Sequence, residues 1–302
     1  MRGVLVVHRY LDPRTIGRLR RVNVVARGVV EGFIAGLHKS PYLGFSTEFA
    51  EHREYAPGDN LRYLDWKVVA RTDRNYIKVF EEETNVRCYI LLDVSGSMGY
   101  KGSRSGGLTK LEYACYLAGA LSYLMVRQRD PVGLAAFTNK IEKHIAPRST
   151  PQHLGLILDT LEEIHTGGST GVGATFHELA ERMKRRSLVV VLSDLLDDAE
   201  AVNSAMHHFR HKKHEVVLFH VLDPDEVDLP FGGLVDFIDM ETGERIQVDP
   251  LAIRKAYKET FDGFTRTIRR SADEAGAVYL PAVTDTPYDL LLAKYLMVRS
   301  RS

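Results

Sequence analysis

An uncharged run, Cys88-Tyr89-Ile90-Leu91-Leu92, stops at Asp93 and gives way to Val94-Ser95-Gly96-Ser97-Met98. The run shows no polar/apolar alternation, which predicts a strand covered on both faces in a parallel α/β sheet. A carboxylate at the end of such a strand is costly to bury unless it is used. Asp93, Ser95 and Ser97 put one carboxylate and two hydroxyls on a short turn. These are hard oxygen donors that suit Mg²⁺ or Mn²⁺ better than zinc, and Gly96 lets the turn fold tightly.

A second apolar run, Leu188 to Leu192, also ends in a carboxylate, at Ser193-Asp194. Between the two lies the loop Gly167-Gly168-Ser169-Thr170-Gly171-Val172-Gly173, which enters a helix. Gly168 and Gly173 have the spacing of a phosphate-binding loop, but Ala174 stands where that loop needs lysine, so a nucleotide site is disfavoured.

The intervening pattern reads as strand, long helix (110–127), a strand pair (132–137 and 141–146), helices, and further strand–helix alternation to the chain end. The short Thr138-Asn139-Lys140 link makes the second strand of the pair antiparallel. The expected fold is α/β, a doubly wound, mostly parallel Rossmann-like sheet with one antiparallel edge strand. With the common strand order 3-2-1-4-5-6, Asp93 and Asp194 flank the switch point where such sheets bind ligands. Asp93, Ser95, Ser97, Thr170 and Asp194 then converge from three loops as oxygen ligands for near-octahedral Mg²⁺.

At 302 residues the chain has room for this domain and a smaller attachment. Residues 1–84 read as an N-terminal helix and a small α+β attachment, and 85–302 as the main domain with a hairpin insertion near 234–248, turning at Thr242-Gly243. The attachment gathers Arg53, Glu54, Asp59, Arg62, Asp65 and Arg71 near the single tryptophan, Trp66. An ion-pair network or a docking surface fits that group. After the Asp93 turn, Tyr100 to Thr109 reads as a mobile loop whose Lys101 and Arg104 would steer an acidic partner.

Lys plus Arg and Asp plus Glu each number 40, which argues against nucleic acid as the main partner. Cys88 and Cys115 fit buried thiols in a reducing compartment. The apolar start Val4–Val7 is too short for a signal peptide, and the uncharged run Tyr113–Val126 falls short of the roughly 20 residues of a spanning helix. A cytoplasmic protein without a transmembrane segment is expected. His207, His211 and His214 share a helical spacing, but no cysteine or carboxylate set completes a zinc site there.

The DVSGSM loop, the GSTGVG loop and the LSD strand end resemble the metal-ion-dependent adhesion site (MIDAS) of von Willebrand factor A (vWA) domains. Asp93, Ser95 and Ser97 match its first motif, Thr170 its threonine loop and Asp194 its last aspartate. Ser169 replaces Thr170 if the register slips by one; Thr170 lets Gly173 fall on the family glycine. REYAPGDNLRYLDWKVVART before the site, and FHVLDP with the METGERIQVDP hairpin after it, resemble the bacterial domain of unknown function 58 family. That resemblance implies a non-enzymatic adaptor. It would act with a MoxR-type AAA+ ATPase in assembly or maturation of complexes, and its metal would bind an acidic residue of a protein partner. The alternatives are a metal-dependent hydrolase or phosphoryl-transfer enzyme using Asp93, or a structural module whose metal site is vestigial.

Overall fold

The computed structural model describes residues 9–10, 47–55, 64–72, 74–82, 87–169 and 171–299. Chain contacts divide the protein into two units, 33–85 and the combination of 1–32 with 86–302. The sequence places residues 1–84 ahead of the main domain as one N-terminal segment. The helix expected between Asp12 and Gly36 lies outside the described residues, as do Asp59, Arg62 and Thr170.

In the small unit, β1 (Thr47–Glu54) pairs antiparallel with β2 (Tyr76–Glu82), with a register shift between Phe49 and Glu51. Helix α1 (Trp66–Thr72) starts where the Asp65 carbonyl accepts the Val68 and Val69 amides. Trp66 is 69% exposed, so this tryptophan is not part of a core. Glu54 and Arg74 form a surface ion pair at 3.8 Å.

The main unit carries β3 (Arg87–Asp93), α2 (Lys110–Arg127), β4 (Val132–Phe137), β5 (Ile141–Arg148), α3 (Pro151–Glu163) and α4 (Val172–Arg182). Then come β6 (Ser187–Ser193), α5 (Ala199–His211), β7 (Glu215–Leu222) and a short helix, α6 (Pro224–Asp228). The chain ends with the hairpin β8 (Val235–Ile238) and β9 (Arg245–Val248), then α7 (Pro250–Glu274), β10 (Val278–Val283) and α8 (Tyr288–Arg299). Six strands form one sheet in the order β10-β7-β6-β3-β4-β5. Counted along the chain this is 3-2-1-4-5-6 read from the β5 edge, the order expected from sequence. All neighbours are parallel except β4 and β5.

The apolar run of β3 feeds two cores. Cys88, Ile90 and Leu92 pack with α2, α3 and α8 on one face, while Tyr89 and Leu91 pack with α4, α5 and α7 on the other. Each fully buried aliphatic side chain contributes about 1.5–3 kcal/mol. This two-sided burial explains the missing alternation, and it fixes the strand end that presents Asp93.

Helix α2 begins at a capping box in which Thr109 and Glu112 satisfy each other's backbone amides. Arg9 pairs with Glu112, and its amide donates to Glu162, which ties the start of the chain to α2 and α3. Helix α7 stops before Gly276, whose φ of +66° supplies the left-handed terminus. Among the described residues no helix is long and apolar enough to cross a membrane.

Candidate metal centre

The carboxyl ends of β3 and β6 are neighbours, and the two carboxylates they carry are almost fully buried. Asp93 Oδ1 accepts the Ser95 amide at 2.9 Å, and its Oδ2 accepts the Ser193 hydroxyl at 2.5 Å. The Ser95 and Ser97 hydroxyl oxygens lie 3.1 Å apart, and the Ser97 hydroxyl is near enough to Asp194 to help hold that carboxyl down. Four of the five sequence-predicted ligands therefore stand in one connected set of oxygens. Adjacent ligands of an octahedral ion with bonds of about 2.0–2.1 Å are separated by about 3 Å, close to the hydroxyl spacing seen.

Ser169 is exposed, and its hydroxyl accepts the Asn139 side-chain amide at 3.2 Å. The loop that carries it is anchored to the Asp93 turn, because Gly96 donates to the Gly168 carbonyl and Gly167 to that of Val94. Gly173 donates to Asp197, and a Cβ there would lie 2.7 Å from that of Ala201, so glycine is required where α4 meets α5.

Three further groups, Lys110, Ser193 and His220, brace Asp194 and the carboxylate beside it. Lys110, at the start of α2 and fully buried, donates to Asp194 Oδ2 at 2.8 Å and to Glu226 Oε1 at 2.6 Å. Ser193 bridges the Leu195 amide and Asp93. Leu195 itself sits at φ +55°, a conformation costing about 1–2 kcal/mol for an L-residue, and this turns the chain sharply behind Asp194. His220 Nε2 donates to the Asp194 carbonyl at 2.9 Å while its Nδ1 accepts the Tyr279 hydroxyl at 2.7 Å. Burial pushes this histidine down to about 4, so it is a neutral strut.

The electrostatics are lopsided. Burial, then the neighbouring Asp194, pushes Asp93 up to about 7. Burial would raise Asp194 as well, but the Lys110 ammonium outweighs it and holds that carboxyl below its ordinary value. Lys110 feels the reverse: burial works against its charge, and Asp194 and Glu226 together raise it. One buried ammonium thus serves two carboxylates, and Asp93 is left short of a counter-charge. Among the described residues no cluster of three or more His, Cys, Asp or Glu side chains is arranged to hold a metal. A cation here must use hydroxyl oxygens, and the donor set fits a hard divalent ion.

Arg104 is not available to steer a partner. It donates to Asp225 Oδ1 at 2.8 Å, Asp228 Oδ2 at 3.0 Å and the Pro224 carbonyl at 2.6 Å. The loop expected to be mobile is anchored at its middle: the Gly102 amide donates to Asp223 and the Ser103 amide and hydroxyl to Asp225. Its polar composition was legible, but carboxylates more than a hundred positions away hold it. A Cβ on Gly102 would fall 2.1 Å from Asp223 Oδ1. Gly102→Ala is therefore expected to destabilise the protein by about 1–3 kcal/mol in urea unfolding and to speed hydrogen exchange at the Ser103 amide. Unchanged exchange there would mean that the clamp does not hold the loop.

The histidines of α5 do not converge. His207 and His211 are exposed, while His214 is buried beyond the helix end.

A family model described as "Protein of unknown function DUF58" matches residues 51–264. An uncharacterized protein of Mycobacterium tuberculosis is 25% identical over 295 residues, covering 96% of this chain and 91% of that protein. Among solved structures, the conserved hypothetical protein BatB from Bacteroides thetaiotaomicron superposes with a TM-score of 0.50 at 17% identity, over 72% of this chain and all of that one. A von Willebrand factor type A protein from Catenulispora acidiphila gives 0.41 at 12% identity, over 75% of this chain and 43% of that chain. The sheet order, the flanking helices and the single antiparallel edge strand make this a doubly wound, mostly parallel α/β fold. By the extent of the matched model, the chain belongs to the DUF58 family.

Proposed function

We propose that the protein is a non-enzymatic, divalent-cation-dependent protein-interaction module. The observation that carries this reading is the unbalanced oxygen set at the switch point: Asp93, Ser95, Ser97 and Asp194 are linked together, and only Asp194 is met by an ammonium. Asp93, Ser95 and Ser97 would hold Mg²⁺ or Mn²⁺, with Thr170 and Asp194 supplied directly or through water. Ser169 is engaged by Asn139, which supports Thr170 as the loop ligand. Held by these residues, a divalent ion would offer the positive charge that a carboxylate of the partner binds. The chain's own part is to keep hydroxyls and carboxylates fixed before the partner arrives, so little ordering cost falls on binding.

The sequence resemblance supports a MoxR-type AAA+ ATPase as a working partner, in assembly or maturation of protein complexes. Pull-down of the co-expressed ATPase by the native chain, lost in Asp93→Ala, is the test of that association.

Mn²⁺ titration followed by electron paramagnetic resonance tests the site itself. One tightly bound ion is expected, with affinity reduced about tenfold or more by Ser95→Ala, Ser97→Ala or Thr170→Ala. At 100 times its dissociation constant the ion stabilises the fold by about 2.7 kcal/mol. Mn²⁺ that stays free, or that binds these variants equally well, rejects the reading.

A further inference from the structure

A cavity of about 400 Å³ opens directly beside Ser97, between the hairpin, α6 and α7. Its walls include the rings of Tyr100, Phe231, Phe237 and Tyr257. They are held in place: Phe231 and Phe237 meet edge to face at 5.9 Å, and Tyr257 donates to the Glu226 carbonyl at 2.6 Å. Arg254 fixes the connecting loop by donating to the Leu229 and Phe231 carbonyls. The tip of the hairpin forms the side nearest the metal loop, so close that a Cβ on Gly96 would meet the Met240 carbonyl oxygen at 2.7 Å.

The charge on this cavity has one sign. Asp225, Glu226, Asp239 and Glu241 line it, and among the described residues no lysine, arginine or histidine does. Asp225 and Glu226 are met from behind by Arg104 and Lys110. Asp239 is exposed at the rim and accepts the backbone amides of Glu241 and Thr242. Aromatic walls under a carboxylate rim suit a cation with a flat, weakly hydrated head.

We propose that this cavity receives an arginine side chain of the protein partner, within a few residues of the carboxylate that completes the cation's shell. The proposal rests on the cation reading above and adds the partner's second recognition element. A leucine would fill the apolar walls but leave the rim unmatched. A lysine would lose the stacking and the bidentate pairing.

The probes are the peptides acetyl-Asp-(Gly)n-Arg-amide, with n from zero to three, and their citrulline and leucine twins, titrated in saturating Mn²⁺. The best arginine peptide is expected to bind about tenfold tighter than its citrulline twin, which keeps the shape and loses the charge. Asp239→Asn is expected to erase most of that preference while Mn²⁺ affinity holds, because asparagine can still accept the turn amides. With Mn²⁺ bound, equal affinity for arginine and citrulline twins, or tighter binding of the leucine twin, overturns the arginine subsite alone. An arginine preference unchanged in Asp93→Ala without bound ion separates the cavity from the metal site and overturns the two-point arrangement. Failure of the native protein to bind Mn²⁺ overturns the cation reading and the two-point arrangement with it.

Discussion

With divalent ions chelated, Asp93→Asn is expected to gain stability relative to the native protein as pH rises from 4 to 8, by about 4 kcal/mol in total. The folded Asp93 carboxyl keeps its proton to about 7, whereas the unfolded chain loses it near 3.8. Between those values the native state binds more protons than the unfolded state, so native stability falls as pH rises. Asparagine has no such loss. Asp130, which burial also pushes up to about 7, gives the same slope in both proteins and cancels in the difference. His214 and His220, both pushed down to about 4 by burial, add the opposite slope below their ordinary 6.5 and cancel as well. Urea unfolding of the pair in chelator across this range measures the effect. Adding Mg²⁺ at pH 8 should reverse the order, because the ion supplies the missing counter-charge to an Asp93 carboxylate that has already lost its proton there. Parallel pH profiles would show that Asp93 is satisfied as a carboxylate without any cation, and the metal reading would fall.

The part of this site that could be read from sequence is the part built by strand ends. Two uncharged runs stopping at Asp93 and Asp194 mark buried strands, and the strand order places them side by side. Hydroxyls two residues apart on a glycine turn follow from local spacing alone. What was not legible is held together by long separations. Lys110 meets Asp194 and Glu226, 84 and 116 positions away, and Arg104 meets Asp225 across 121. A weak signal for Lys110 did exist. It is the first residue of α2, where the helix dipole disfavours a cation, so a lysine there implies carboxylates from elsewhere. The hairpin was visible as two short strands, but nothing in its residues says that its tip would rest on Gly96. The five-residue α6 escaped notice because a single Asp-Pro start without an apolar repeat does not distinguish a helix from a turn. Even so, its Asp223–Glu226 capping box places Glu226 against Lys110.

That arrangement makes Lys110→Met the most damaging single change expected here. The ammonium is fully buried and its two carboxylate partners are largely shielded from water, so removing it leaves Asp194 and Glu226 facing each other beside Asp93 without any positive charge. Breaking a buried pair in this way costs about 3–5 kcal/mol, well above the modest change in apolar packing, since methionine nearly matches lysine in volume. The double variant Lys110→Met with Glu226→Gln should recover part of that loss, because glutamine can still accept the Asp223 amide that Glu226 now accepts at 2.8 Å. Urea unfolding of the two single variants and the double gives the coupling, expected to exceed about 1 kcal/mol. Mg²⁺ should rescue Lys110→Met more than it stabilises the native chain, because a divalent ion then takes over the neutralisation of buried Asp93 and Asp194 and half-buried Glu226. Additive single-variant losses and an unchanged Mg²⁺ response would separate Lys110 from the carboxylate pair and make it a packing residue. A strong coupling with an enlarged Mg²⁺ response would instead establish that lysine and cation share the neutralisation of one acidic centre, the lysine serving Asp194 and the ion serving Asp93.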